Sequence, residues 1–411
     1  MRVLDRIKKS GLPVLIKVER IDHLDNLGIP VYAAAHSDIF GNCGKPSWGK
    51  GITEDLAYVS ALMERVERYS ASDVSGAEDI VRRRFIDFKQ GDAVSRWDLV
   101  PCNLQRKLYT KAEVDRQELL WAKCFSFTKN RNVFIPVNMV YFLPAEEYDD
   151  FSYTTGLASG NSIEEAILHA LCEVIERHVE EVAYNNKVKF PTIDLATIKN
   201  KEVKNLINAF ISNDFNLQFT RMDTDFNVSI IRAFAYEKKG PYANTYSQYT
   251  SIGVHPNENV AIIRALTEIA QARACNYYQI KNKTQSIEMV EVIPDDIMHY
   301  FSDIMDRECV ISLDDVQSIS RNDISSEIRN ILKALKKKKC EVIFKDLTLP
   351  KLEIPVVRVI VRGLQPGNLG VGVIDLKHDV ARISENLTAY QKLLNEIVGV
   401  KHLKCVIQSK D

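Results

Sequence analysis

The stretch Ala166-Ile-Leu-His-Ala-Leu-Cys-Glu-Val-Ile-Glu-Arg-His178, AILHALCEVIERH, decides how this chain is read. At about 100° per residue, Glu165, His169, Glu173, Glu176 and Arg177 fall on one arc of a helix. Ile167, Leu168, Leu171, Val174 and Ile175 take the opposite side. The helix therefore has a core-facing stripe and a separate acidic face with no obvious lysine partner. Ala166 and Ala170 flank that face, so something is expected to approach the helix backbone closely.

The same pattern, Ala-x3-Ala-Leu-x-Glu-x2-Glu/Gln, recurs on either side. Upstream it is Ala57, Ala61, Leu62, Glu64 and Glu67 in AYVSALMERVER; downstream it is Ala261, Ala265, Leu266, Glu268 and Gln271 in AIIRALTEIAQ. Each copy follows a glycine-bearing loop: SWGKGITEDL, TTGLASGNSIEE and SIGVHPNENV. Helical projection groups Ser60, Glu64 and Glu67 in the first copy and Arg264, Glu268 and Gln271 in the third. Glutamates three apart on one helix are ordinarily solvated; three copies at matched positions reverse that expectation.

Around these helices lie β-branched segments bounded by turn residues: VLIKV (14–18), VYAAA (31–35), VFIPVNMVYF (133–142), SIIRAFAY (229–236), CEVIF (340–344) and PVVRVIV (355–361). Strand-like and helix-like segments alternate, which predicts a mixed α/β (α+β) fold of sheets covered by helices. Polar connections are expected at Asp92 to Leu104 and Lys281 to Pro294. The Lys336–Lys339 run ends a helical pattern before a strand, where lysines complement the helix dipole.

With 411 residues, the chain is long enough for one large domain or two to three smaller ones. Its 54 Lys+Arg and 55 Asp+Glu give a net charge of -1, so no global field draws it onto nucleic acid or an anionic membrane. Neither the Lys336–Lys339 run nor Arg82–Arg84 makes a convincing nucleic-acid patch. The eight cysteines (43, 102, 124, 172, 275, 309, 340, 405) form no C-x-x-C pair and are expected as reduced, mostly buried thiols. No apolar run is long enough for a signal or membrane-spanning segment, so a soluble cytoplasmic protein is expected.

Carboxylates on several helices suit either a di-iron centre or magnesium. A di-iron centre of the ferritin type takes Glu-x-x-His on two helices, and no histidine here has that spacing. Oxygen ligands suit Mg²⁺ bound together with substrate phosphates, and Arg177 and Arg264 beside the carboxylates suit phosphate oxygens. Simple Arg–Glu pairing is the alternative for either arginine. Gly44-Lys-Pro-Ser-Trp-Gly-Lys-Gly51 fails as a Walker A loop, because Gly51 stands where the metal-binding hydroxyl belongs. Lys50 is either a phosphate contact or, as expected of a lysine in a flexible loop, a solvated turn residue.

Taken in order, GKGITEDLAYVSALMERVERYS, TTGLASGNSIEEAILHALCEVIERH and AIIRALTEIAQAR resemble the YcaO family, with similarity from about Val31 to about Gly363. The resemblance implies an enzyme that uses ATP and Mg²⁺ to phosphorylate a backbone amide oxygen of a peptide or protein, so that a nucleophile can replace it. It makes Glu64, Glu173, Glu176 and Glu268 the magnesium ligands. Glu67, Asn161 and Glu165 become nucleotide contacts on the adenosine side, with Arg177 and Arg264 on the phosphates. Gln271 matches the third block and Arg273 takes a supporting role; Ser159, before the Gly-Asn of the second block in a loop leading into a helix N-terminus, suits phosphate oxygens, with a simple Ser–Gly turn as the alternative. A core over 1–363 and a C-terminal extension over 364–411, packed on it, are expected, as is a homodimer.

Two departures from the family pattern steer the choice of product. The sequence ends CVIQSKD, where azoline-forming members carry a Pro-x-Pro-x-Pro tail, and Arg362 in RVIVRGLQPG replaces a proline. The resemblance then points to thioamide formation, with a TfuA-type partner for sulfur delivery and a glycine of methyl-coenzyme M reductase as the characteristic substrate. Azoline formation at Cys, Ser or Thr is the alternative, and a non-catalytic nucleotide-binding regulator is an alternative of another class. No side chain stands out as the general base.

Overall fold

The β-branched segments pair into three sheets, and each copy of the repeated helix lies against one or two of them. The computed structural model describes residues 2–14, 17–35, 46–74, 79–99, 110–143, 154–186, 189–222, 225–237, 248–281, 305–315, 320 and 323–364. These belong to one compact unit, Met1–Gly367. Apart from Leu364, the expected extension 364–411 lies outside the described residues. So do Cys43, Cys102 and Cys405, and most of the expected connection after Lys281.

In chain order the strands are β1 (Lys17–Arg20), β2 (Val31–Ala35), β3 (Ser47–Lys50), β4 (Ile80–Arg84), β5 (Glu118–Ser126), β6 (Arg131–Pro136) and β7 (Leu157–Ser159). They continue with β8 (Phe190–Ile193), β9 (Phe215–Arg221), β10 (Ser229–Glu237), β11 (Gln248–His255), β12 (Met305–Ile311), β13 (Glu341–Asp346) and β14 (Val356–Arg362). The helices are α1 (Arg2–Ser10), α2 (Glu54–Ser72), α3 (Lys111–Arg116), α4 (Val137–Val140), α5 (Ile163–Asn186), α6 (Lys201–Ile211), α7 (Glu258–Lys281) and α8 (Ile324–Lys337).

One sheet has the order β1-β2-β3, a second β11-β10-β9-β8-β12, and a third β4-β5-β13-β14-β7 with β6 also on β5. Every pairing is antiparallel except β8 with β12. The segment expected as one strand over 133–142 is divided. Its first part is β6, and Val137–Val140 forms a helical turn after Pro136. At the end of α8, Lys336 and Lys337 occupy the last turn and Lys339 adopts φ 60°, reversing the chain into β13.

Each repeated helix organises its own apolar cluster. Leu62, Val66 and Tyr69 of α2 pack with β5, β6 and Val356. Leu168, Leu171, Val174 and Ile175 of α5 pack with Val357, Val359 and Val361 of β14 and with α8. Ile262, Leu266 and Ile269 of α7 pack with β9, β10 and α6. Because side chains alternate along a strand, β14 sends Val356 toward α2 and Val357 toward α5, placing that strand between the two helices. β11 does the same between α5 and α7, with Ile252 and Val254 on one side and Tyr249 on the other.

The close approach expected at the repeated alanines is made by packing within the fold. Ala57, Ala61, Ala166, Ala170, Ala261 and Ala265 are all fully buried. What approaches them is the preceding strand. A Cβ at Gly49 would lie 2.1 Å from the Ala57 carbonyl oxygen, and one at Gly253 would lie 1.8 Å from that of Ala261. Gly49, Ala158 and Gly253 stand at the same offset before the first alanine of each copy. Each unit is thus a strand laid on the helix that follows it, and it is this strand that the alanines admit. Among the described residues no helix is long and apolar enough to cross a membrane.

Candidate active site

Strand-on-helix packing sets the side chains of the acidic faces beside the ends of β3, β7 and β11. On α2, Glu64 Oε2 accepts from the Trp48 backbone N–H at 2.6 Å, and its other oxygen pairs with Arg68. Glu67 Oε1 accepts from both the backbone N–H and the hydroxyl of Ser159, at 2.9 and 2.8 Å. That contact ties α2 to the end of β7. Burial pushes the Glu67 carboxyl up to about 8, with the neighbouring Glu64 and Glu173 charges adding to the rise and the Ser159 hydrogen bonds opposing it.

On α5, Glu173 Oε2 accepts from the Gly156 N–H at 3.0 Å. Gly156 has φ 78°, and a Cβ there would lie 2.1 Å from the Val359 carbonyl oxygen, so glycine is required for this close approach. Burial raises the Glu173 carboxyl while Arg177 opposes the rise. Glu176 is 7% exposed and pushed up to about 8, first by burial and then by Glu268, against the pull of Arg177. Arg177 lies 3.8 Å from Glu176 and 3.6 Å from Glu180, which also holds Arg232 of β10 at 3.0 Å.

On α7, Glu268 pairs with Lys50 from the end of β3. Burial acts to raise the Glu268 carboxyl, but Lys50, with Arg177 and Arg264, holds it below the usual carboxylate value. One expectation is corrected here: Lys50 is not a solvated turn lysine. The pairing was missed because Lys50 and Glu268 are far apart in sequence. Arg264 Nη1 contacts His169 Nε2 at 2.6 Å. Gln271 is half-buried one turn beyond Glu268.

The loop before α5 supplies Asn161 and Glu165. Asn161 donates to Glu165 from its backbone N–H at 3.1 Å and from its side chain at 3.0 and 3.2 Å, and Ser162 caps the helix by accepting from the Glu165 N–H. Arg273, which projects away from the Glu268 face, is 1% exposed and bound by Asp25 and Glu237, each at 2.8 Å. Arg362 pairs with Asp98 at 2.5 Å and Glu341 at 3.6 Å. Of the cysteines, Cys124, Cys172, Cys275 and Cys340 are buried free thiols and Cys309 is exposed.

The three helices therefore bring Glu64 and Glu67, Glu173 and Glu176, and Glu268 within electrostatic reach of one another, with Arg177, Arg264 and Lys50 among them. Among the described residues no three His, Cys, Asp or Glu side chains are grouped closely enough to hold a metal ion alone. Mg²⁺ commonly takes one or two carboxylates and completes its shell with phosphate oxygens and water. Dispersed carboxylates with guanidinium groups between them suit that division of ligands. Buried carboxyls forced upward, as at Glu173 and Glu176, would regain their ionised form beside a cation.

Comparison with known proteins identifies the lineage and the fold. The sequence model described as YcaO cyclodehydratase, ATP- and Mg²⁺-binding, matches residues 48–365. An uncharacterized protein of Methanothermobacter thermautotrophicus is 30% identical over 374 residues, covering 88% of this chain and 91% of that protein. A second uncharacterized protein, from the tfuA 3' region of Rhizobium leguminosarum bv. trifolii, is 26% identical over 269 residues, covering 63% of this chain and 61% of that one. Among solved structures, a heterocyclase in complex with substrate and cofactor superposes with a TM-score of 0.70 at 21% identity, over 86% of this chain and 50% of that one. YcaO from Methanopyrus kandleri, bound with AMPPCP and Mg²⁺, superposes with a TM-score of 0.67 at 22% identity, over 88% and 89%. These two likenesses establish the fold, and the match over 48–365 establishes the lineage: the chain belongs to the YcaO family of ATP- and Mg²⁺-binding enzymes.

Proposed function

We propose that this protein uses ATP and Mg²⁺ to phosphorylate a backbone amide oxygen of a protein or peptide, after which a sulfur nucleophile replaces the phosphorylated oxygen to give a thioamide. The observation that carries the activation step is the set of carboxylate faces on α2, α5 and α7 with Arg177 and Arg264 among them. In this reading Glu64, Glu173, Glu176 and Glu268 hold the metal, and Arg177 and Arg264 hold phosphate oxygens. Glu67, Asn161 and Glu165 flank the nucleoside, Ser159 faces phosphate oxygens from the loop before α5, and Gln271 lies at the edge. When bound, ATP supplies the phosphoryl group and Mg²⁺ neutralises the charge that builds on the triphosphate.

The side chains here act by position and charge. Arg177 and Arg264 offer planar guanidinium forks to phosphate oxygens, and Ser159, fixed by Glu67, sets the loop before α5. The amide oxygen takes the terminal phosphoryl group as ADP leaves, hydrosulfide adds to the carbon and gives up its proton, and the C–O bond breaks so that the oxygen departs in inorganic phosphate.

The relative from a tfuA 3' region supports a TfuA-type partner; the sulfur branch, with a glycine of methyl-coenzyme M reductase as substrate, rests on the resemblance of the sequence to the thioamide-forming members of the family. Likeness to a heterocyclase supports the second reading, azoline formation at Cys, Ser or Thr. The two separate by mass spectrometry after incubation with ATP, Mg²⁺, sulfide and glycine- or cysteine-containing peptides. Exchange of one oxygen for sulfur is expected; loss of one water would give the azoline reading instead.

A further inference from the structure

Arg264 is held differently from the other arginines around the site. Arg177 faces Glu176 and Glu180, Arg232 faces Glu180, and Arg273 faces Asp25 and Glu237. No carboxylate of the described residues lies within ion-pair distance of Arg264; its partner is the Nε2 atom of His169, 2.6 Å from Nη1. A guanidinium in a protein is always protonated and only donates, so His169 must accept through an unprotonated Nε2. A neutral ring that uses one nitrogen as acceptor keeps its proton on the other.

We propose that His169 is a positioning residue for ATP: it fixes Arg264 with a neutral acceptor, so that the guanidinium is oriented yet keeps its full charge for a phosphate oxygen. The ring joins two elements, α5 through its own backbone and α7 through Arg264. A carboxylate at the same place would hold Arg264 as firmly but would neutralise it and repel phosphate. The Arg264 charge and burial hold the His169 imidazole well below its ordinary value, with Lys50 and His255 acting in the same direction, so the ring stays neutral near pH 7. This inference rests on the nucleotide reading of the site and adds the means by which one phosphate contact is set.

The test is calorimetric binding of a non-hydrolysable ATP analogue with Mg²⁺ to the whole protein and to His169→Gln, His169→Ala, His169→Glu, Arg264→Ala and the His169→Ala/Arg264→Ala pair, with melting temperatures recorded alongside. His169→Gln, a neutral acceptor, should stay within about threefold of wild type. His169→Ala should weaken binding about tenfold, as expected for losing a hydrogen bond to a charged group. His169→Glu should weaken it more than His169→Ala does, although Arg264 is still held. In the Arg264→Ala background, His169→Ala should have no further effect. Wild-type affinity in His169→Ala, or His169→Glu binding as well as His169→Gln, would overturn the proposal. A wild-type protein that binds no nucleotide would overturn the reading of the site itself.

Discussion

Glu173 is buried, accepts a single backbone N–H from Gly156, and carries a carboxyl pushed upward by that burial. Replacing it with glutamine keeps its shape and one carbonyl acceptor but removes the charge a metal needs. Glu173→Gln should therefore abolish ATP turnover while leaving the melting temperature within a few degrees of wild type. Turnover assays and thermal denaturation check this together, and wild-type turnover in the folded variant would remove Glu173 from the metal set. A second residue acts on stability. Burial, then Lys338, lowers His178 from its ordinary 6.5 to about 4, and its ring packs edge-on against Phe226 at 5.7 Å. Its folded value lies below its unfolded one, so the unfolded chain takes up the proton first. Stability is lost as pH falls through 6.5 and continues to fall until about 4, by up to about 3 kcal/mol from this group. His178→Phe should flatten that part of a urea-denaturation series across pH. At this scale the acidic and apolar faces of α5 were legible, because helical periodicity places Glu173 and Leu171 on different sides. The pairings Lys50 with Glu268 and Ser159 with Glu67 were not, since they join residues distant in sequence through packing.

At the scale of elements, the unit of construction is a strand followed by a helix, with glycine or alanine on the strand facing Ala-x3-Ala on the helix. Periodicity disclosed the helices and repeat analysis disclosed their kinship, but the purpose of the alanines depends on which partner lies against them. Gly49 and Gly253 were visible as residues of glycine-bearing loops. That they lie within β3 and β11 and touch Ala57 and Ala261 is a fact of packing. The helix at Val137–Val140 escaped for a related reason: VNMV has the β-branched composition of a strand, and its helical turn is set by its neighbours after Pro136. Gly253→Ala should be costly, because the new Cβ would sit 1.8 Å from a main-chain oxygen and one element must shift. A loss of about 3 kcal/mol or more is expected by chemical denaturation. A neutral outcome would mean that β11 is not seated directly on α7.

At the scale of the molecule, α2, α5 and α7 each anchor an apolar cluster on one side and carry carboxylates on another. The same helices that hold the fold together thereby position the site. Arg273 joins distant parts of this framework. It binds Asp25 after β1 and Glu237 at the end of β10, and lies 4.6 Å from the Phe215 ring centre and 5.0 Å from that of Tyr249. Arg273→Met would strand two buried carboxylates and should cost about 3 to 5 kcal/mol, measured by urea denaturation. The alternation of strand and helix made the fold class legible, and the order of the three repeated blocks made the family legible. Sheet order was not, because β7 reaches β14 and β8 reaches β12 across long intervening segments. The central claim, ATP-driven activation of an amide oxygen, is tested most directly with a substrate peptide whose reacting carbonyl carries heavy oxygen. With ATP, Mg²⁺ and sulfide, mass analysis should find the label in the released inorganic phosphate, in proportion to modified peptide. Modified peptide accompanied by unlabelled phosphate would contradict the account.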